Sequence, residues 1–230
     1  MVTGWRFEEV KCGICGSGNS GLLYKKRGIE TGFLYNIVRC RECGFVYVSP
    51  RLTSNSLLKL YDKDYYHKEN FIKQATFDER EKGIETEKIS LIESVQCRKK
   101  FQKGQTLLDV GCGLGGLLYD AKRVGYKVTG IEWSDDAYNY LRNRGLDVYL
   151  GEFENIDLGG KKFDVITAIA VLEHMRNPMP FFEKVSDCLN KGGIFYYVTA
   201  SRDSLFARIS GRNWGFLEPD MHINYFTQDS

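Results

Sequence analysis

The sequence predicts an α/β protein: a parallel sheet interleaved with helices, preceded by a small ribbon held by cysteines. Three observations carry that expectation. The run Thr106-Leu107-Leu108-Asp109-Val110 reads as a strand buried on both faces, breaks into four glycines between positions 111 and 116, and resumes as helix-like Leu117-Leu118-Tyr119-Asp120-Ala121. Further strand-like runs follow at 127–131, 146–150, 162–170 and 194–199, with helix signals between them: Ser134 or Asp135 and Asn177-Pro178 as starts, Asn190–Gly193 as a stop. Ahead of these stand two CxxC pairs, Cys12-Gly13-Ile14-Cys15 and Cys40-Arg41-Glu42-Cys43.

A chain of 230 residues can hold one large domain and a small one. With 43% hydrophobic and 27% charged residues its composition is that of an ordinary soluble protein. A net charge of +2 gives no reason to expect a nucleic-acid or membrane partner from bulk electrostatics. The first nine residues have no apolar core of the signal-peptide kind, and no run approaches the roughly 18 apolar residues of a membrane span. Seven cysteines, four of them in CxxC pairs, suit metal binding in a reducing cytoplasm better than a disulfide framework.

Residues 1–50 form the expected ribbon. A glycine follows the second cysteine of each pair, as the tight turn behind two converging thiolates requires, and 24 residues separate Cys15 from Cys40. Cys12, Cys15, Cys40 and Cys43 would make a closed, four-thiolate structural zinc (Zn2+) site, with an iron–sulfur or redox centre as the other reading. Gly21–Tyr24, Phe33–Arg39 and Phe45–Val48 read as strands, the last ended by Ser49-Pro50. Up to residue 60, nine Lys/Arg stand against four Asp/Glu. That excess reads as a solvated basic face, or as a surface for an anionic substrate or RNA.

Residues 51–104 are polar and connect ribbon to sheet. A capped short helix is expected from Ser54 to Tyr61, and a second within Asp78–Arg98, where Ile84, Lys88, Leu91, Ile92 and Val95 fall near helical spacing. Residues 105–230 form the sheet-bearing domain.

The glycine turn is the expected ligand site, because a strand, a turn without β-carbons and a helix N-terminus bring backbone N–H groups close to a ligand. Gly111, Gly113 and Gly116 also satisfy the dinucleotide pattern G-x-G-x-x-G. Asp109 decides between ligands. Its carboxylate would repel a pyrophosphate and attract the ammonium of a bound amino acid. Glu132 ends the strand Lys127–Ile131, where it can accept from both hydroxyls of a ribose, which NAD and S-adenosylmethionine (SAM) share.

At these residues the sequence resembles the class I SAM-dependent methyltransferases, whose first motif, hh-D-hG-x-G-x-G, is met throughout from Leu107 to Gly115. The resemblance implies a Rossmann-like parallel sheet of order 3-2-1-4-5-7-6. It also implies that Asp109, Gly111, Gly113, Gly115 and Glu132 bind SAM. Trp133 could lie against the adenine or belong to the core. Glu152, where the family has a shorter acid, would accept the adenine amino group, with Phe153 beside it and Ile169 at the end of the fourth strand. Lys162–Ala170 running into Val171-Leu172-Glu173-His174 resembles the family's fourth motif, with Ala170 where a polar residue is common. His174 is then a candidate base, or a histidine that orders its loop. Tyr65, Tyr66 and His67 fall where the family has its cover over the site, as substrate contacts or packing.

His222-x-x-Tyr225-Phe226-Thr227 resembles a branch acting on small molecules, several members of which also begin with paired CxxC knuckles. His222 is there a proton acceptor, a substrate contact or a structural residue. Cys112, between two glycines, reads as a small buried side chain and not as a nucleophile.

The expectation is therefore a SAM-dependent methyltransferase with an N-terminal zinc ribbon, moving a methyl group to a small-molecule acceptor by in-line displacement. An NAD-dependent oxidoreductase is one rival. A non-catalytic SAM-binding scaffold, whose ribbon docks a partner or RNA, is the other. After the fifth strand, near Thr199, only thirty residues remain, so the sequence reads as C-terminally truncated. Ile194–Val198 would then be an exposed apolar edge strand that invites self-association unless residues from 201 onward cover it.

Overall fold

The computed structural model describes residues 4–60, 92–95 and 102–228. Tyr65, Tyr66 and His67 lie outside these residues, as does most of the expected helix over 78–98, of which 92–95 are seen and are helical. The chain divides into two compact units, one drawn from 1–67, 172–179 and 199–230, the other from 68–171 and 180–198.

The first unit is built on an antiparallel sheet of β2 (Ser20–Arg27), β3 (Leu34–Cys40), β4 (Val46–Val48) and β11 (Asn224–Tyr225), ordered β11-β4-β3-β2. A short pair, β1 (Phe7–Glu8) and β5 (Arg51–Leu52), stands beside α1 (Ser54–Leu60). β4 is buried throughout and β3 along most of its length: Tyr35 and Ile37 are fully buried with Val48 and Tyr225, and Trp214 packs with them. Thus residues far apart in sequence share one core, with Asn224 opposite Tyr47 and Tyr225 opposite Val46. Asp220 is the polar tie. Buried in the loop before β11, it accepts from the Thr31 hydroxyl (2.6 Å), the Tyr35 hydroxyl (2.8 Å) and the Glu30 N–H (2.8 Å), holding the turn between β2 and β3. Gly28 in that turn leaves no room for a β-carbon, which would lie 2.3 Å from the Asp220 carboxylate.

The second unit is a five-stranded parallel sheet. Its elements are β6 (Thr106–Val110), α2 (Gly116–Val124), β7 (Lys127–Glu132), α3 (Asp135–Asn143), β8 (Val148–Leu150), β9 (Phe163–Ile169), α4 (Pro178–Cys188) and β10 (Leu189–Val198). The order β10-β9-β6-β7-β8 is the expected 3-2-1-4-5 arrangement read from the other edge. Because the chain begins in the middle and later returns to the far side of β6, the order reverses between β6 and β9. Ligands of such sheets bind outside the carboxyl ends of the strands at that reversal. Leu107, Leu118, Ala121, Leu141 and Val165 are fully buried around it, each larger side chain contributing about 1.5–3 kcal/mol. Local signals act where expected: Ser134 caps α3 through the Ala137 N–H, and Pro178 occupies the first turn of α4.

β10 differs in one respect from the expected strand. Its ladder with β9 starts at Leu189 opposite Phe163, and Asn190–Gly193, expected to end the preceding helix, form an irregularity before Ile194 rejoins opposite Val165. Among the described residues β10 pairs with β9 alone, and Tyr197 and Val198 are 52% and 40% exposed. Among the described residues beyond 201 none joins this edge as a strand, and their one strand, β11, joins β4. No helix among the described residues is long and apolar enough to cross a membrane.

Candidate functional site

The two CxxC turns fold alike. In each, the N–H of the glycine after the second cysteine bonds to the first cysteine's carbonyl, Gly16 to Cys12 at 2.9 Å and Gly44 to Cys40 at 3.1 Å. Both glycines take the left-handed conformation that such a turn demands, with φ of 73° and 80°. The four sulfurs converge within 4.8 Å of one another. Cys12 and Cys43 are 3.5 Å apart, as are Cys15 and Cys40. Thiolates on a tetrahedral zinc are about 3.8 Å apart, given a zinc–sulfur bond of about 2.3 Å, so the donors fit that ion.

In the second unit, Asp109, the glycine turn, Glu132, Glu152 and Ile169 all fall at or just beyond the carboxyl ends of the parallel strands. Asp109 is buried and accepts from the hydroxyl of Thr167, its neighbour across the ladder, at 2.7 Å. Gly111, Gly113 and Gly115 all have positive φ. At Gly111 a β-carbon would also meet Val171 at 2.6 Å, so glycine is required there twice over. Glu132, also buried, accepts from the N–H groups of Gly113 (2.7 Å), Trp133 (2.8 Å) and Ser134 (2.8 Å). It latches the glycine turn to the end of β7, and these bonds take three of the roughly four acceptor positions of a carboxylate.

The remaining expected residues are less alike. Trp133 is half-buried, and exposed Glu152 accepts from the Asn155 side chain at 2.9 Å. Phe153 packs edge-on against Phe181 in the core, so it offers a ligand its backbone rather than its ring. Ile169 is half-buried and leads into Ala170, whose φ of 55° is unusual for a residue with a side chain. Burial, then the charges of Asp109 and Glu132, push the Cys112 thiol well above its usual range, which keeps it protonated and poorly nucleophilic.

His174 and His222 come together in the first unit, their rings 4.9 Å apart and edge-to-face. Each ring is oriented by a carbonyl through its Nδ1, His174 by Met221 at 3.1 Å and His222 by Phe216 at 2.8 Å. Burial, and secondarily His222, push His174 down to about 4, so its imidazole is neutral at neutral pH. The turn carrying His174 is held from β11: the Asn224 amide donates to the carbonyls of Leu172 and Met175, and the Ile223 N–H to that of Glu173.

Three residues escaped the sequence reading. Thr167 orients Asp109, and its signal was a hydroxyl in an otherwise apolar strand. Glu173, 1% exposed, sits beside His174 and accepts from Thr199 at 2.9 Å. An acid in an apolar turn was the clue there. Nothing local marks Asn224 as the clamp.

The sheet order, the glycine turn after its first strand and the acid ending the second define a Rossmann-like domain of the kind that faces a nucleotide or nucleoside ligand. Residues 83–230 match the family described as methyltransferase domain, and the chain belongs to that family. It is 35% identical over 138 residues to N-methyltransferase 4 of Papaver somniferum, covering 53% of this chain and 37% of that protein. Over 107 residues it is 31% identical to the ubiquinone biosynthesis O-methyltransferase of Shewanella pealeana, covering 44% of this chain and 45% of that one. The chain spans less than half the length of these curated relatives. A SAM-dependent methyltransferase structure from Clostridium acetobutylicum aligns with a TM-score of 0.48 at 19% identity, covering 64% of this chain and 61% of that one. Coclaurine N-methyltransferase bound to N-methylheliamine and SAH aligns with a TM-score of 0.46 at 23% identity, covering 61% and 45%.

Proposed function

We propose that this protein is a SAM-dependent methyltransferase acting on a small-molecule acceptor, with a structural zinc held by its four paired cysteines. The observation that carries the reading is the pairing of two buried carboxylates with one glycine turn: Asp109 is the last residue but one of β6, Glu132 ends β7, and Glu132 bonds to the turn itself. Asp109 would face the ammonium of the methionine moiety. Glu132 would meet the ribose, and Glu152 the adenine amino group. SAM supplies an electrophilic methyl on a sulfonium, whose thioether product leaves without an acid. The chain's own share of the work is then positioning and exclusion of water, together with removal of a proton where the acceptor carries one. His174 and His222 are the candidate proton acceptors or substrate contacts. The ubiquinone biosynthesis O-methyltransferase among the relatives supports an acceptor of small-molecule type, and the attacking atom is an oxygen, nitrogen or carbon of that acceptor. Two CxxC pairs, whose spacing suits a metal better than a disulfide framework, support a cytoplasmic setting.

Isothermal titration separates this reading from its rivals. Micromolar binding of SAM or S-adenosylhomocysteine with none of NAD is expected, and the reverse would overturn it. Incubation with labelled SAM and cell extract should label a small molecule. Label in RNA or protein alone would overturn the acceptor class, and no label at all would favour the scaffold reading.

A further inference from the structure

Beyond the cysteine cluster the described residues hold one more convergence of metal-ligating side chains: Glu173, His174 and His222 each offer a donor atom within 4.8 Å of the other two. We propose that these three residues form a second metal site, a two-histidine, one-carboxylate centre for a divalent transition-metal cation.

Three features support it. The first is tautomeric. A carbonyl only accepts, so the Nδ1 of each ring facing one must carry the proton. In the neutral ring Nε2 is then an acceptor. An imidazole that donates its other N–H to a backbone carbonyl is the usual arrangement behind a metal-binding histidine. The second is charge. Glu173 is 1% exposed, and among the described residues no lysine or arginine forms an ion pair with it. A buried carboxylate needs compensation, and a dication would provide it. Thr199 donates to its Oε2, as a ligating carboxylate is commonly supported. The third is rigidity. Asn224 and the Ile223 N–H hold the turn that carries Glu173 and His174, so two ligands sit on a braced backbone.

Two imidazoles favour zinc, iron or manganese over calcium or magnesium. With metal–ligand bonds of about 2.1 Å the donors would close to about 3–3.5 Å apart, a side-chain adjustment of roughly an ångström. Three protein ligands leave positions open for water or for an oxygen of a small molecule. A cation there would lower the pKa of a coordinated hydroxyl.

The test needs no methyl transfer. Protein with its cysteines loaded with zinc is titrated with Mn2+, which thiolate sites disfavour, and bound ion is counted by electron paramagnetic resonance. One Mn2+ per chain is expected, with paramagnetic broadening of the ring resonances of His174 and His222 ahead of the rest of the protein. His222→Ala and Glu173→Gln should each lose at least about tenfold in affinity. Absence of binding, binding that spares both histidine resonances, or unchanged affinity in folded variants would each overturn the site. The wild-type broadening decides the matter even where a variant fails to fold. SAM calorimetry without added metal tests the methyltransferase reading separately, so the two can fail independently.

Discussion

The Gly113 N–H donates to the Glu132 carboxylate at 2.7 Å, tying a ligand-facing turn to the acid at the end of the neighbouring strand. Two further N–H groups share that carboxylate. Glu132 is therefore a structural acceptor as well as the candidate ribose contact, and its loss should be felt twice.

Glu132→Ala should weaken SAM binding far more than His174→Ala, because hydrogen bonds to a charged group contribute about 1.5–3 kcal/mol each. It should also lower the melting temperature, since three N–H groups lose their acceptor. Calorimetry and thermal unfolding read the two effects. Wild-type affinity for SAM in Glu132→Ala would show that the site is misassigned.

Metal analysis should find zinc held by Cys12, Cys15, Cys40 and Cys43, and Cys40→Ser should lose it. A chelator should unfold the ribbon strands while the parallel sheet stays folded, because the core of those strands is not their own but is shared with Trp214 and Tyr225 of the first unit, and the thiolate site pins the turns at its end. Loss of β2–β4 amide protection with retention in β6–β10 is the expected exchange pattern; simultaneous loss of both would count against it.

Asn224 spends both amide hydrogens on the turn before His174, at 3.2 and 2.6 Å. Asn224→Ala would leave two carbonyls without that donor and should cost about 1–3 kcal/mol in urea unfolding. Asn224→Asp should cost more at neutral pH, since a carboxylate would face two carbonyl oxygens. Equal stability of the two variants would argue against the clamp.

Alkaline stability should be limited by tyrosines of the first unit. Burial is the main cause that raises Tyr35 and Tyr225 above their ordinary value near 10, with nearby acids adding to it. In the unfolded chain they ionise near pH 10, so the native state binds more protons above that pH. Stability is thus full below pH 10 and should fall as pH rises beyond it, by about 1.4 kcal/mol per unit for each tyrosine. Tyrosinate absorbance should rise together with loss of circular dichroism. Tyr35→Phe should soften the fall.

The exposed edge of β10 should promote self-association. Sedimentation velocity should show concentration-dependent oligomers, reduced by Tyr197→Lys, which puts a charge on the strand that pairs with β9 alone among the described residues. A monodisperse monomer at high concentration would remove the argument.

What the sequence determined by itself was local. The glycine turn, the two CxxC knuckles, the Ser134 cap and the proline at the start of α4 are readable because each depends on a few adjacent residues and their allowed backbone angles. The strand order was legible too, once the turn had pointed to a family. Tertiary structure alone decided the rest. That Tyr225 pairs with Val46, that Asp220 holds Thr31 and Tyr35, and that His222 meets His174 beside Glu173 are contacts between segments far apart in the chain. Periodicity and capping signals do not reach that far: they report which face of an element is apolar, not which distant element will cover it. The role of Glu132 divides the same way. Its place at a strand end was visible in the sequence, and its bonds from Trp133 and Ser134 are local, but its bond from Gly113 exists only once two neighbouring loops are folded against each other.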